Sequence, residues 1–245
     1  MKPFVLLATR AEEVPAEEEY ALFLRHTGLD ERDLVRVRLE AGPMPRLDLD
    51  ALSGIFVGGG PFNASDPAER KSPVQHRVEA EFAALLDEVV ARDFPFLGAC
   101  YGVGTLGVHQ GATIDHTYAE PIGVVPVTLT DAGVSDPLLA GMPPTFETFV
   151  GHKEAIHSLP SSATLLGSSP TCPVQMFRVR SNVYATQFHP ELDLDLDGIV
   201  VRIHAYAGHG YFAADELELT LASVRRAEVS HPSRMLRTFV ELHAR

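Results

Sequence analysis

Only two cysteines, Cys100 and Cys172, occur in 245 residues. Two thiols so far apart make no disulfide framework, and they fit a reducing compartment. Positive charge is short as well: 20 Lys and Arg stand against 33 Asp and Glu, a formal net charge of −13. Nucleic acid and anionic membranes both want a basic face, so neither is an expected partner. No apolar run is long enough to span a bilayer. The apolar start at Phe4 to Ala8 is too short for a secretory signal, and Glu12 and Glu13 follow at once. It reads as a first strand, with the cytoplasm as the expected setting. Internal repeats, low-complexity tracts and clear linkers are missing, which predicts one domain over 1–245 with a helical extension at about 195–245. A phosphate loop of the G-x-x-x-x-G-K-[ST] type is absent too. His109, His116, His157, His204 and His209 lack the spacing of metal ligands, and neither a metal nor an organic cofactor is expected.

What is present is a core and a rhythm. Hydrophobic residues make up 45%, enough for a sizeable interior. Phe4–Ala8, Leu34–Leu39, Ile55–Val57 and Phe94–Leu97 read as strands, with helices expected at Glu17–Arg25, after Ser72 and from Tyr101 to Gln110. Ser72-Pro73-Val74-Gln75 has the form of an N-cap, a proline at the first helical position and a capping-box glutamine. Val74, Val78, Phe82, Leu85 and Val89 follow as one apolar stripe. Alternating strands and helices predict an α/β fold: a flavodoxin-like, mostly parallel central sheet with helices on both faces. Further short strands, at Val124–Leu129, Thr145–Val150, Thr164–Leu166, Val174–Val179 and Val183–Gln187, predict antiparallel additions. Two last stripes, Ile199/Val200/Ile203/Tyr206 and Met235/Leu236/Phe239/Val240, return the chain to helix. The segment from about Gly208 to Glu228 reads as a local excursion.

The chemistry gathers at strand ends, where ligands bind in such folds. Leu97-Gly98-Ala99-Cys100-Tyr101-Gly102 joins a buried strand to a helix. A nucleophile on that sharp turn has little room beside it, so small residues flank it. The free N–H groups of the new helix favour a thiolate. Gly58-Gly59-Gly60-Pro61 ends another strand. Thr186-Gln187-Phe188-His189-Pro190-Glu191 brings a histidine to a strand exit, with a carboxylate two residues on. His189 can serve Cys100 as base, oriented by Glu191. The 89 positions between Cys100 and His189 (189 − 100) do not matter if both stand on one rim.

Gly59-Gly60-Pro61, Gly98-Ala99-Cys100-Tyr101-Gly102 and Gln187-Phe188-His189-Pro190-Glu191, in this order, resemble the class I glutamine amidotransferase family, nearest its GMP synthase branch. The resemblance spans roughly Phe4 to Glu191. It implies a Cys-His-Glu glutaminase that releases ammonia through a Cys100 thioester, with backbone donors for the oxyanion at Tyr101 and Gly60. It implies glutamine contacts at Gly59, Gly104, His152 and Glu154; Gly151-His152-Lys153-Glu154 is similar to the branch's Ser-His-Gly-Asp stretch. One departure stands out. The family's elbow continues Cys-X-Gly-X-Gln, and Gly104 occupies the glutamine position. Either another residue substitutes for that glutamine, or the substrate is a different γ-glutamyl compound, or a partner remodels the site. A separate ammonia-accepting synthase and a free-standing γ-glutamyl hydrolase both stay open.

The same substitution makes Gly102-Val103-Gly104-Thr105-Leu106-Gly107 match the dinucleotide fingerprint G-x-G-x-x-G. It stands in a late strand–helix unit and leaves His189 and Glu191 unexplained, so a nucleotide-binding domain is the weaker alternative. A non-catalytic scaffold is weaker again, since Cys, His and Glu are all intact. Cys172, beside Pro173, is expected to be a core or loop thiol.

Overall fold

The computed structural model describes residues 1–195, 197–207 and 214–245. The chain runs β1 (Phe4–Ala8), α1 (Glu13–Thr27), β2 (Leu34–Arg38), β3 (Gly54–Val57), α2 (Pro73–Arg92), β4 (Phe96–Ala99) and α3 (Tyr101–Gln110). There follow β5 (Thr113–Asp115), β6 (Glu120–Leu129), α4 (Asp131–Val134), β7 (Thr145–His152), β8 (Ala155–Ser158), β9 (Ala163–Ser168), β10 (Met176–Val179) and β11 (Val183–Thr186). Three helices close the chain: α5 (Asp197–Tyr206), α6 (Leu217–Val224) and α7 (Arg234–His243).

Nine strands form one sheet in the order β2-β1-β3-β4-β11-β10-β9-β6-β7. The first five are mutually parallel. The other four add antiparallel. Successive side chains of a strand point to opposite faces. Val5 and Leu7 accordingly pack with Val78, Phe82 and Val89 of α2 and Leu106 of α3. Phe4 and Leu6 pack on the other face, with Phe23 of α1 and Met235, Leu236 and Phe239 of α7. The Phe56 and Phe239 rings meet at 5.0 Å. Each such side chain contributes about 1.5–3 kcal/mol by leaving water, so the last helix is bound firmly to the sheet. A smaller cluster seats α5 and α6: Ile199, Ile203, Leu221 and Val224 pack on Leu22, Ile122 and Phe149. The excursion expected from Gly208 lies partly outside the described residues, as does His209; from Ala214 the chain makes a short turn and then α6.

Two local expectations change. Ser72 caps α2 by accepting from the Gln75 N–H at 3.1 Å. Gln75 does not complete the box, because its amide donates to the Asn63 carbonyl at 2.8 Å and to Glu79 at 2.9 Å. The loop folded over the helix start competes for it and wins. The strand β8 carries no sequence signal of its own. It exists because Ile114 and Ile156 pair across β5 and β8, against Gly107.

The elbow depends on close backbone approach. A Cβ on Gly98 would stand 2.8 Å from the Gly102 Cα and 3.3 Å from its carbonyl carbon. Backbone cannot swing aside as a side chain can. Gly98→Ala is expected to cost about 1–3 kcal/mol, or roughly 2–10 °C in Tm for a chain of this size. Thermal unfolding checks this; an unchanged Tm would show that β4 and α3 can separate freely.

Candidate active site

Only Cys100 separates β4 from α3, at φ 52° and ψ −87°. A non-glycine residue at positive φ is strained, and such strain is held only where the surroundings enforce it. Here the Cys100 N–H donates to the Thr186 carbonyl at 2.7 Å. That bond ties the elbow to the end of β11, the strand that delivers His189. The parallel register β4–β11 pairs Ala99 with Thr186, so the two strands end side by side. Gly102, Gly104 and Gly107 lie inside α3 and not in a loop ahead of it. No turn remains there to wrap a pyrophosphate, which removes the structural basis of the dinucleotide alternative.

His189 is anchored through its N–H to the Phe149 carbonyl at 3.1 Å. Its Nδ1 lies 2.8 Å from Glu191 Oε1, and Glu191 is fully buried. Cys100 and His189 line one recess together with Arg10, Val150, Leu192 and Arg202. A second recess on the other side of Cys100 is lined by Gly60, Phe62, Tyr101, His152, Glu154 and Gln187. Cys100 thus stands between two recesses.

The glycine loop is placed by its neighbours. The Thr9 hydroxyl donates to the Gly59 carbonyl at 3.3 Å, and a peptide's N–H points opposite to its carbonyl. The Gly60 N–H therefore faces away from Thr9. The Gly59 N–H donates to Glu19 Oε1 at 3.1 Å. A Cβ on Gly59 would stand 2.5 Å from the Arg10 guanidinium and 2.7 Å from His189 Cε1, so only glycine lets both approach. The Tyr101 N–H opens α3 and has no intrahelical acceptor. Gly60 and Tyr101 together can face an oxyanion at Cys100.

The expected substrate contacts divide. Glu154 lines the second recess, but its two oxygens already accept the Ala64 and Ser65 N–H groups, each at 2.7 Å. A Cβ on Gly104 would stand 2.9 Å from Glu154 Oε1 and 3.2 Å from the Ala64 Cβ. The volume a glutamine side chain would need at position 104 is thus held by Glu154 and its loop. His152 is a largely buried part of the same recess wall, with Nδ1 at 2.9 Å from the Glu154 carbonyl and Nε2 at 2.7 Å from Glu120. Among the described residues, Glu120, His152 and Cys172 form the one group whose ligand atoms come close enough for a metal ion, within 4.8 Å. Glu120 and His152 spend those atoms on each other, and Glu120 also holds Gln175 and the Thr171 hydroxyl. The group braces the recess. Cys172 is a fully buried thiol, as expected.

Sequence reasoning missed a set of buried charges beneath the pair. Arg10 donates to Glu19 at 3.0 Å and to the Tyr206 hydroxyl at 2.7 Å. Arg202 donates to Glu191 at 2.8 Å. Glu18 lies 3.7 Å from Arg202, and neither of its oxygens has a hydrogen-bond partner among the described residues. Glu17-Glu18-Glu19 looks like a solvated helix face. The missed signal is that Glu19 shares the apolar stripe of Ala16, Leu22 and Phe23.

Burial sets the protonation states. It pushes the Cys100 thiol up to about 12. It pulls His189 below the ordinary imidazole value, with Arg202 and Arg10 adding to the fall and Glu191 opposing it. The resting pair is therefore a thiol and a neutral imidazole. Burial alone would raise Glu191, but His189 and Arg202 hold it well below the usual carboxylate range. Glu18 has less help, and burial raises it to about 7.

The fold and these groups define a class: α/β proteins with a cysteine elbow and a histidine–carboxylate pair on one sheet rim. Residues 31–201 match the family model for glutamine amidotransferase class-I, and the chain belongs to that family. It is 27% identical over 171 residues to a GMP synthase [glutamine-hydrolyzing] subunit from Thermoplasma acidophilum, covering 69% of this chain and 76% of that protein. It is 28% identical over 151 residues to the GMP synthase of Hamiltonella defensa, covering 59% of this chain but 26% of that longer protein. In fold it resembles the crystal structure of a glutamine amidotransferase from Thermotoga maritima, with TM-score 0.76, 24% identity and coverage of 99% and 98%. Among the described residues, no helix is long and apolar enough to cross a membrane.

The raised Glu18 gives a stability prediction. Its folded value, about 7, exceeds that of a free carboxyl, so the folded state is penalised as pH rises from about 4.5 to 7. Glu18→Gln removes the penalty. The variant is expected to gain on the order of 2–3 kcal/mol above pH 7 and little at pH 4.5. Denaturant unfolding at both pH values checks this; an equal effect at both would contradict the assignment.

Proposed function

We propose that this chain is a glutaminase that cleaves the side-chain amide of glutamine through a Cys100 thioester. The observation that carries the proposal is Cys100 on its strained elbow, bonded to the strand that brings His189 and Glu191 to the same rim. Because thiol and imidazole rest uncharged, proton transfer accompanies attack. His189 Nε2 takes the Cys100 proton as sulfur bonds to the amide carbon, then gives it to the departing ammonia. Glu191 accepts from Nδ1 and keeps the tautomer that leaves Nε2 free. The Gly60 and Tyr101 N–H groups receive the oxyanion. Water then cleaves the thioester by the reverse sequence, giving glutamate and free Cys100. No metal or organic cofactor enters these steps.

For the substrate, Glu154 supplies negative charge to the α-ammonium group, and Gln187 adds an acceptor. Gln187 is buried in the same recess, and its Oε1 has no hydrogen-bond partner among the described residues. Gly59 gives close access, while His152 acts through Glu154 rather than on substrate. Together these take over the role of a glutamine side chain at position 104. The family segment and the C-terminal helices make one working unit, since α5 supplies a bond to Glu191. A cytoplasmic setting suits a mechanism that needs Cys100 reduced. The relatives named as GMP synthase subunits support a separate ammonia-accepting enzyme as partner. A free-standing γ-glutamyl hydrolase is the second reading, favoured by Gly104 alone.

Covalent trapping tests the proposal. An electrophilic glutamine analogue is expected to add one mass equivalent to Cys100, free glutamine to protect it, and Cys100→Ala to remove labelling without loss of fold. Labelling by iodoacetamide but not by the analogue would reject glutamine and favour another γ-glutamyl substrate. Turnover by Cys100→Ala would reject the thioester.

A further inference from the structure

The triad carboxylate has a second, cationic partner from the far end of the chain. Arg202 Nη1 lies 2.8 Å from Glu191 Oε1 and 3.0 Å from His189 Nδ1, and the same Oε1 lies 2.8 Å from Nδ1. The three atoms form a closed triangle in the protein interior: Arg202, His189 and Glu191 are all buried. Arg202, Arg10, Glu18, Glu19 and Tyr206 all lie outside residues 31–201, the stretch that matches the family model. We propose that Arg202 is a positioning residue, which holds the Glu191 carboxylate as acceptor for His189 Nδ1–H and so leaves Nε2 free to take the Cys100 proton. The inference deepens the glutaminase proposal and rests on it for the identity of the reaction.

Charge decides which nitrogen carries the proton. An ionised carboxylate only accepts hydrogen bonds, so the contact with Nδ1 then requires Nδ1–H. A fully buried carboxylate facing only a neutral imidazole is costly to ionise and tends to take up a proton. A protonated Glu191 would donate to Nδ1 and drive the imidazole proton to Nε2. His189 could then no longer accept from Cys100. Arg202 removes that option by pairing with Glu191 directly. The remaining charged groups around the triangle are Glu18 and Glu19 on α1, each with an oxygen 3.7 Å from Arg202 Nη2, and Arg10 bound to Glu19. Cys100 and Tyr206 of α5 line the same recess, and among the described residues His26 at the end of α1 also feels the Glu191 charge. Without Arg202, Arg10 alone would face the buried carboxyl groups of Glu19 and Glu191 and the half-buried one of Glu18, which strengthens proton uptake by Glu191. Arg202 Nη1 also approaches Nδ1 itself. If Nδ1 were bare, it would accept from Arg202 and the base would be disabled, so the tautomer is the decisive observable.

Two measurements decide the matter. The first uses the unaltered chain: long-range proton–nitrogen NMR of histidine-labelled protein, with His189→Gln to assign the signal. Nδ1 protonated and Nε2 bare is expected at neutral pH; the opposite tautomer overturns the proposal. The second follows Cys100 alkylation by iodoacetamide against pH in the wild type, Arg202→Gln and Arg202→Lys. At pH 7, Arg202→Gln is expected to react at least tenfold more slowly. Its rate should recover along a new rising limb as pH increases and Glu191 ionises. Lysine, or added guanidinium, should restore most of the rate. An Arg202→Gln profile of wild-type shape overturns the proposal; should that variant fail to fold, the NMR result on the wild type still decides. Iodoacetamide needs no glutamine pocket, so these outcomes stand even if the glutamine analogue fails to label the wild type. In that case the glutaminase proposal falls, and the role of Arg202 is judged separately.

Discussion

Parallel pairing of β4 with β11 is the constraint on which the site depends. The two strands run side by side in the middle of the sheet and end together. One turns into α3 through a single strained cysteine, and the other continues to His189. The Cys100 N–H on the Thr186 carbonyl fastens the two exits, so the elbow's strain is held by backbone that cannot relax. Cys100 and His189 are distant in sequence and line one recess for that reason. The glycine loop joins them because β3 pairs with β4 on the other side.

Charge burial is the second layer. Arg10, Glu19, Glu191 and Arg202 sit together below the rim. Buried ions are costly unless paired and hydrogen-bonded, and removing one partner of such a set is more damaging than replacing both. Here the pairs also position the reacting groups. Glu19 joins Arg10 to the Gly59 N–H and so fixes the glycine loop. Arg202 joins α5 to Glu191. The N-terminal helix and α5 thereby reach the surroundings of Cys100 through ion pairs.

Most of the fold was legible in the sequence because its signals are local. The apolar run Phe4–Ala8 became β1 at the stated bounds, and Tyr101–Gln110 became α3. Cys100, His189 and Glu191 were recognisable because each stands at a strand exit in a distinctive short motif. What was not legible depends on tertiary partners. Ala155–Ser158 is a strand only because β5 lies beside it. Gln75 abandons its capping role because the Asn63 carbonyl is within reach. Arg10, Glu19 and Arg202 look like ordinary surface charge until the fold buries them together.

Gly104 shows how a departure from a family pattern can be read physically. By itself the absence of a glutamine side chain looks like a gap in the substrate pocket. In the structure it is one half of an exchange: Glu154 and the Ala64–Ser65 loop occupy the space that a side chain at 104 would take. The carboxylate is held by two backbone N–H groups, and His152, itself bonded to Glu120, holds the Glu154 carbonyl. A carboxylate fixed at both oxygens is rigid but retains unused lone pairs, so it can still receive an ammonium group. Its orientation is set by the protein and not by the ligand. A side chain at 104 would collide with the Glu154 carboxylate and the Ala64 methyl, and moving Glu154 would release the Ala64 and Ser65 N–H groups that it holds. Position 104 and position 154 are one structural decision, because the space at 104 and the place of the Glu154 carboxylate are set together.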